Sequence, residues 1–300
     1  MTRHPGQISI VSSALVQAAG IAVRLTRWWL AYPLAFLMVI IAALIVSPVA
    51  PAFDSASLSL VRQIPVILLH AVLLALIVAW IKWWEQRPTR TVGFLGAGRR
   101  DVLRGFGLGA TVAFGIVVVL LMLGSVHLTP AEGGPVRWGA LLPALVMVVV
   151  WLFLAAVQEA LSRGFLLQVT GLQISAWAAI TGQAVLWAIV RAAARGDIDV
   201  MTLANLVLVG VVLALVALKR GSLWLVVGLQ AGWSWLESTL LGMAAIGGPD
   251  PVLHLVPTSA SWLSGGAAGP LASPVVTLVL LVVGVRLALR YQHLEIRAVH

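Results

Sequence analysis

Apolar runs of about 20 residues recur along almost the whole chain, and a helix of that length crosses roughly 30 Å of hydrocarbon. The sequence predicts eight such spans, at residues 28–50, 64–84, 103–124, 139–161, 174–192, 201–218, 222–243 and 272–290. With 61% hydrophobic and only 10% charged residues, the 300-residue chain lacks the polar surface that a soluble domain requires. We therefore predict an all-α fold, a polytopic membrane helix bundle with about eight transmembrane helices.

The distribution of basic residues predicts the orientation of the bundle. With the N-terminus inside, all but four of the 19 Lys and Arg residues fall in cytoplasmic loops and tails. The four on the outer side are Arg62, Arg137, Arg191 and Arg195. Cytoplasmic loops carry the excess of positive charge in membrane proteins, so both termini are predicted to be cytoplasmic. The protein is predicted to be a multi-pass component of the inner (plasma) membrane.

Charge and cysteine content narrow the possible partners and chemistry. The net charge of +9 comes from residues in short loops, not from a basic patch interleaved with aromatic side chains. We therefore expect membrane lipids, and no nucleic acid, as partners. The chain has no cysteine, which excludes disulfides, thiolate metal sites and cysteine nucleophiles.

Polar residues inside predicted spans are costly and need a reason. Glu159 and Arg163 are four residues apart, so they share one helix face with the acid N-terminal. This pair is either a structural brace or part of an active site. The same spacing relates Trp187 to Arg191 on a second span, and it also relates Gln230 to Ser234 on a third, one turn before Glu237.

Two interpretations of these three polar stripes remain open. In the first, the stripes converge on one interior site. In the second, Arg191 extends outward to the membrane interface, while Gln230 and Ser234 form ordinary hydrogen bonds between helices.

The three strings 158-QEALSRGFLL-167, 187-WAIVR-191 and 230-QAGWS-234, in this order, resemble the CPBP family of intramembrane proteases. This is the CAAX prenyl endopeptidase type II and bacteriocin-processing group, also called Abi. The family's motifs are Glu-Glu-x-x-x-Arg followed by Gly-Phe/Leu, then Phe-x-x-x-His, then His-x-x-x-Asn/Asp. The resemblance covers about residues 85–285 and looks like that of actinobacterial members, which implies a bacterial source.

The resemblance also implies a division of the chain. Residues 1–84 would form an N-terminal cytoplasmic tail and two additional transmembrane helices. Residues 85–290 would form the CPBP-like transmembrane core, and residues 291–300 a cytoplasmic tail. The Gly/Pro/Ser-rich segment 244–273 is predicted to be a loop with interfacial pieces docked on the bundle.

This sequence departs from the family at the positions that carry its chemistry. In the family, the first Glu and the two His are taken to activate a water or a metal-bound water for peptide hydrolysis, and the Asn assists the oxyanion. The corresponding positions here are Gln158, Arg191, Gln230 and Ser234. An amide is not basic, and arginine stays protonated and does not ligate metals. Glu159 and Arg163 are retained as the structural part of the motif.

We therefore expect no intact catalytic set, no metal and no cofactor. The leading hypothesis is an inactive pseudoprotease whose vestigial cavity binds a hydrophobic or lipidated peptide or a membrane-protein partner. The alternative is an active CAAX/CPBP-type endopeptidase with rewired residues, using Glu159 with Ser234 or Glu237. A transporter is a third possibility, although no pair of broken helices is visible. His70, His127 and His254 have no acidic partner nearby in sequence, and none of them is predicted to act.

Overall fold

Helices make up nearly all the regular structure of the computed structural model, which describes residues 24–54, 60–94, 98–129, 136–195, 199–243, 250–258, 261–266 and 269–290. The α-helices are α1 (Trp28–Val46), α2 (Pro51–Asp54), α3 (Ile64–Ala79), α4 (Arg99–Met122), α5 (Leu141–Glu159), α6 (Leu167–Gln173), α7 (Ala176–Arg195), α8 (Val200–Arg220), α9 (Trp224–Ser234), α10 (Ser261–Ser264) and α11 (Pro274–Arg290). Wider π-helical turns extend α3 through Trp80–Trp84, join α5 to α6 through Ala160–Leu166, and extend α9 through Trp235–Leu240. The predicted tails lie mostly or wholly outside the described residues.

Six helical stretches among the described residues are long and apolar enough to cross a membrane. They are Trp28–Val46, Val61–Trp84, Arg99–Met122, Trp138–Gln173, Ala176–Ala194 and Val200–Arg220. This confirms the predicted all-α polytopic membrane bundle. The predicted spans 222–243 and 272–290 correspond to shorter helices, α9 with 11 residues and α11 with 17. The count of eight and the location of the termini stay predictions.

The fourth span is longer than predicted. Its helical stretch runs for 36 residues, from Trp138 to Gln173, where the sequence predicted an end near residue 161. The helix continues because the Arg163 charge is neutralised inside the bundle and the backbone passes through a π-helical turn instead of breaking.

A small antiparallel sheet joins the residues that follow α4 to part of the predicted loop 244–273. Strand β1 (Val126–Thr129) pairs with β2 (His254–Pro257), with Val126 opposite Pro257 and Thr129 opposite His254. Four residues per strand are too few for an alternating pattern to stand out, which is why the sequence did not predict them.

Small residues allow α4 and α9 to pack with their backbones in contact. Gly105 and Gly109 on α4 face Gly228 and Gly232 on α9, each pair being spaced by four. A Cβ atom on Gly232 would lie 2.1 Å from the carbonyl oxygen of Phe106, so no larger side chain fits without moving a helix. This is the small-residue packing typical of membrane helices. It fixes the position of α9, which carries the third motif.

Exposed ion pairs join residues that the orientation predicts to be on the same side. Arg62 and Arg137 lie 3.4 and 3.9 Å from Asp250, all three on the predicted outer side. Arg220 lies 3.3 Å from Asp101, both on the predicted cytoplasmic side. This pairing is consistent with the predicted topology.

A buried polar cluster ties three distant segments together near the end of α3. The carboxylate of Glu85 accepts hydrogen bonds from the backbone N–H and hydroxyl of Thr26, at 3.0 and 2.7 Å, and from Arg87 Nε at 2.6 Å. Arg87 Nη1 donates to Thr91 and to Gln168 on α6. We call these five residues the Glu85 cluster. It connects the segment before α1 to α6 through the loop after α3.

Candidate active-site motif between four helices

The first motif lies where α5 passes into its π-helical turn. Gln158 and Glu159 end α5, while Ser162 and Arg163 lie in the turn Ala160–Leu166. A π-helical turn widens the helix by one residue and often occurs at functional sites. Ser162 Oγ donates to the backbone carbonyl of Gln158 at 2.6 Å, which holds the two parts of the motif together.

Glu159 and Arg163 form a completely buried ion pair. Arg163 Nη1 donates to Glu159 Oε1 at 2.9 Å, and both side chains are fully excluded from solvent. Arg163 also donates to Ser162 Oγ at 2.9 Å and to the carbonyl oxygen of Gly210 on α8 at 3.1 Å. The pair therefore joins the motif helix to α8. Among the described residues Glu159 Oε2 and Arg163 Nε have no hydrogen-bond partner.

Gln158 is the centre of a second hydrogen-bond network. Its Oε1 atom accepts from Arg191 Nη1 at 3.2 Å and from Gln230 Nε2 at 2.6 Å. Its Nε2 atom lies 3.0 Å from Nε2 of His70 on α3. The Nδ1 atom of the same imidazole lies 2.8 Å from the carbonyl oxygen of Val66, which can only accept.

These contacts assign the roles of the network atoms. Because the Val66 carbonyl oxygen accepts, Nδ1 of His70 carries the proton, and Nε2 of the neutral ring accepts from the Gln158 amide. Both ends of that amide are therefore used. One amide group links α3, α5, α7 and α9.

Trp187 brings the two arginines of the site together. The guanidinium carbons of Arg163 and Arg191 lie 5.1 and 5.4 Å from the centroid of its buried indole ring. Both distances fall within the range of cation–π attraction. The second motif therefore points into the bundle and towards the first, which decides between the two interpretations that the sequence left open for Arg191.

The third motif contributes one network member and two further buried groups. Gln230 contacts Gln158 as described, whereas the buried Ser234 lies one turn further along α9. Glu237 is buried in the π-helical turn that follows and accepts a hydrogen bond from Trp233 Nε1 at 2.8 Å. The structure thus brings Arg191 and Gln230 into direct contact with Gln158.

Sequence reasoning missed two residues of this site. His70 lies 88 positions before Gln158 and has no motif of its own, so its role depends only on the packing of α3 against α5. Gly210 contributes a backbone carbonyl oxygen that no side-chain pattern reveals. His127 and His254, the two other histidines considered in the sequence analysis, are exposed on the small sheet. The described residues contain no group of three His, Cys, Asp or Glu able to hold a metal ion.

Comparison with known proteins identifies this region. Residues 139–236 match the family model described as Type II CAAX prenyl endopeptidase Rce1-like, and this stretch includes all three motif strings. No curated protein and no solved structure matches the chain. The chain is thus a multi-pass membrane protein that is similar to type II CAAX prenyl endopeptidases over residues 139–236.

The groups assembled here differ from those of the family motifs. The position of the expected general base holds a neutral amide, and its neighbours are a permanent cation, a second amide and the imidazole of His70. The retained carboxylate, Glu159, is engaged by Arg163. The hydrogen bonds of Gln158 connect its own helix, α5, to α3, α7 and α9.

Proposed function

We propose that the protein is a catalytically inactive Rce1-like membrane protein that binds a hydrophobic or lipidated peptide, or the membrane segment of a partner protein, without cleaving it. The observation that carries the proposal is the hydrogen-bonding state of Gln158. Water activation needs a group that accepts a proton, and an amide with both ends occupied has no such capacity.

The ligand class rests on the family match. The matching description names prenyl endopeptidases, whose name describes action near a prenylated residue. The three motif strings lie within the matched residues 139–236, while the residues at the family's hydrolytic positions are replaced. Binding without cleavage is the part of that activity that such a chain would keep.

A direct test uses purified protein and a fluorescent peptide that ends in farnesylated Cys, two aliphatic residues and Met. We expect the farnesylated peptide to bind and to remain uncut. The same peptide without farnesyl should bind at least about tenfold more weakly, because about 0.8 kcal/mol is lost for each CH₂ that is not buried.

The combined variant Gln158→Glu, Arg191→His, Gln230→His and Ser234→Asn should gain cleavage. Cleavage by the unmodified protein that Glu159→Ala abolishes would contradict inactivity. Equal binding of both peptides would contradict the ligand class.

One observation favours a second candidate, an active endopeptidase with rewired residues. His70 places the Nε2 lone pair of a neutral imidazole at the centre of the network, and imidazole is the commonest general base in proteins. On this alternative, His70→Gln would abolish peptide cleavage while leaving peptide binding intact. Metal analysis of the same sample separates a metal-free mechanism from a metal-dependent one.

A further inference from the structure

A small basic pocket lies at the end of α3, remote in sequence from the three motifs. It has a volume of about 440 Å³ and is lined by Lys82, Gln86, Arg87, Pro88, Thr89 and Arg90. Three of these six residues are cations and none is acidic. Lys82 and Arg90 are exposed, whereas Arg87 is buried.

Arg87 has a donor group left for a ligand. Its Nε and Nη1 atoms are used within the Glu85 cluster, and Glu85 balances its charge. Its Nη2 atom is buried and has no hydrogen-bond partner among the described residues. Buried donors of this kind are rare in folded proteins because an unmade hydrogen bond is costly, so such a group indicates a missing acceptor.

The backbone of the pocket is held in an uncommon conformation. Gln86 has a φ angle of 52°, the only positive value of a non-glycine residue among those described. Left-handed conformations of such residues are uncommon, are often strained, and concentrate at ligand-binding segments. Here the turn at Gln86 places the pocket-lining Arg87 next to the buried Glu85 carboxylate.

The surroundings indicate where the ligand comes from. Trp83 and Trp84, which lie in sequence between the lining residues Lys82 and Gln86, are 78% and 52% exposed. Exposed tryptophans at the end of a membrane span lie at the level of the lipid headgroups. The pocket is on the predicted cytoplasmic side, where anionic lipids attract basic segments.

We propose that this pocket binds the phosphate group of an anionic lipid headgroup. Lys82 and Arg90 supply positive charge. The net negative charge of an anionic lipid neutralises it, whereas a zwitterionic lipid has no net charge to do so. Arg87 supplies a fixed, pre-oriented N–H donor to a phosphate oxygen. The acyl chains would then lie along the exposed tryptophans. The pocket is therefore a defined lipid site, in addition to the general attraction of the basic loops for anionic lipids.

The test is a binding titration of the detergent-purified full chain with fluorescent phosphatidylglycerol and with a phosphatidylcholine of the same acyl chains. We expect phosphatidylglycerol to bind about tenfold more tightly, and the variant Lys82→Gln/Arg90→Gln to lose most of this preference. Arg99→Gln/Arg100→Gln is the matched control, because it removes two exposed charges at the nearby start of α4 and should keep the preference. All four substituted side chains are exposed, so the apparent Tm of both variants should be unchanged.

Three results would overturn the proposal. The first is equal binding of the two lipids. The second is an equal loss of preference in the pocket variant and the control variant, which would show a diffuse electrostatic effect without a site. The third is complete displacement of phosphatidylglycerol by millimolar inorganic phosphate, which would identify the ligand as free phosphate.

Discussion

The carboxylates of two buried ion pairs in this protein are satisfied to very different degrees. In the Glu85 cluster, both carboxylate oxygens of Glu85 accept hydrogen bonds, from Thr26 and from Arg87. In the motif, Glu159 accepts from Arg163 through one oxygen, and its other oxygen has no partner among the described residues. Both carboxylates are wholly buried, so exposure does not explain the difference.

The difference lies in how each carboxylate is used. A carboxylate with every acceptor used, between segments far apart in sequence, stabilises a fold. A carboxylate with an unused oxygen, next to Gln158 and close to two cations, has an acceptor that the described part of the fold leaves without a partner. The predictions below test this contrast, from the largest expected effect to the smallest.

Arg163→Ala should have the largest effect, lowering the free energy of unfolding by about 3–5 kcal/mol, because it leaves Glu159 buried without its cation. The measurement is an unfolding titration in mixed micelles. The double variant Glu159→Gln/Arg163→Met removes both charges and should recover much of the loss. If the double variant is as unstable as the single one, the loss does not come from an unpaired charge.

Glu85→Gln should lower the free energy of unfolding by about 2 kcal/mol. An amide has one acceptor oxygen, whereas both oxygens of Glu85 accept. Whichever way the amide turns, its NH₂ group therefore faces a donor of Thr26 or Arg87. The same titration measures the change. A loss below about 0.5 kcal/mol would mean that the hydrogen bonds described for the Glu85 carboxylate are wrong.

Gln158→Leu should cost about 1–2 kcal/mol, because it removes the acceptor for Arg191 and Gln230. A double-mutant cycle with Gln230→Leu measures the direct coupling, expected at about 0.5–3 kcal/mol. Additive effects in the cycle would contradict a shared hydrogen bond.

Asp101→Asn should have the smallest effect, below about 1 kcal/mol, since its pair with Arg220 is exposed at both ends. The effect should vanish in high salt, which screens exposed charges. A cost as large as that of Glu85→Gln would remove the basis for separating buried from exposed pairs here.

The sequence alone determined the class of fold and part of the site. Apolar run length predicts a membrane bundle, because crossing hydrocarbon imposes a helix of known length. The spacing of Glu159 and Arg163 predicts their contact, because residues four apart share a helix face. The order of the three motif strings predicted the family whose model matches residues 139–236.

Only the tertiary structure decided which helices meet. No pattern within one helix connects His70 to Gln158, or Thr26 to Glu85, since 88 and 59 positions separate them. Those neighbours depend on how the small-residue faces of helices pack together, as Gly109 and Gly232 show for α4 and α9. Periodicity reports the face that a helix buries, whereas the partner of that face is fixed by the shape of the whole bundle.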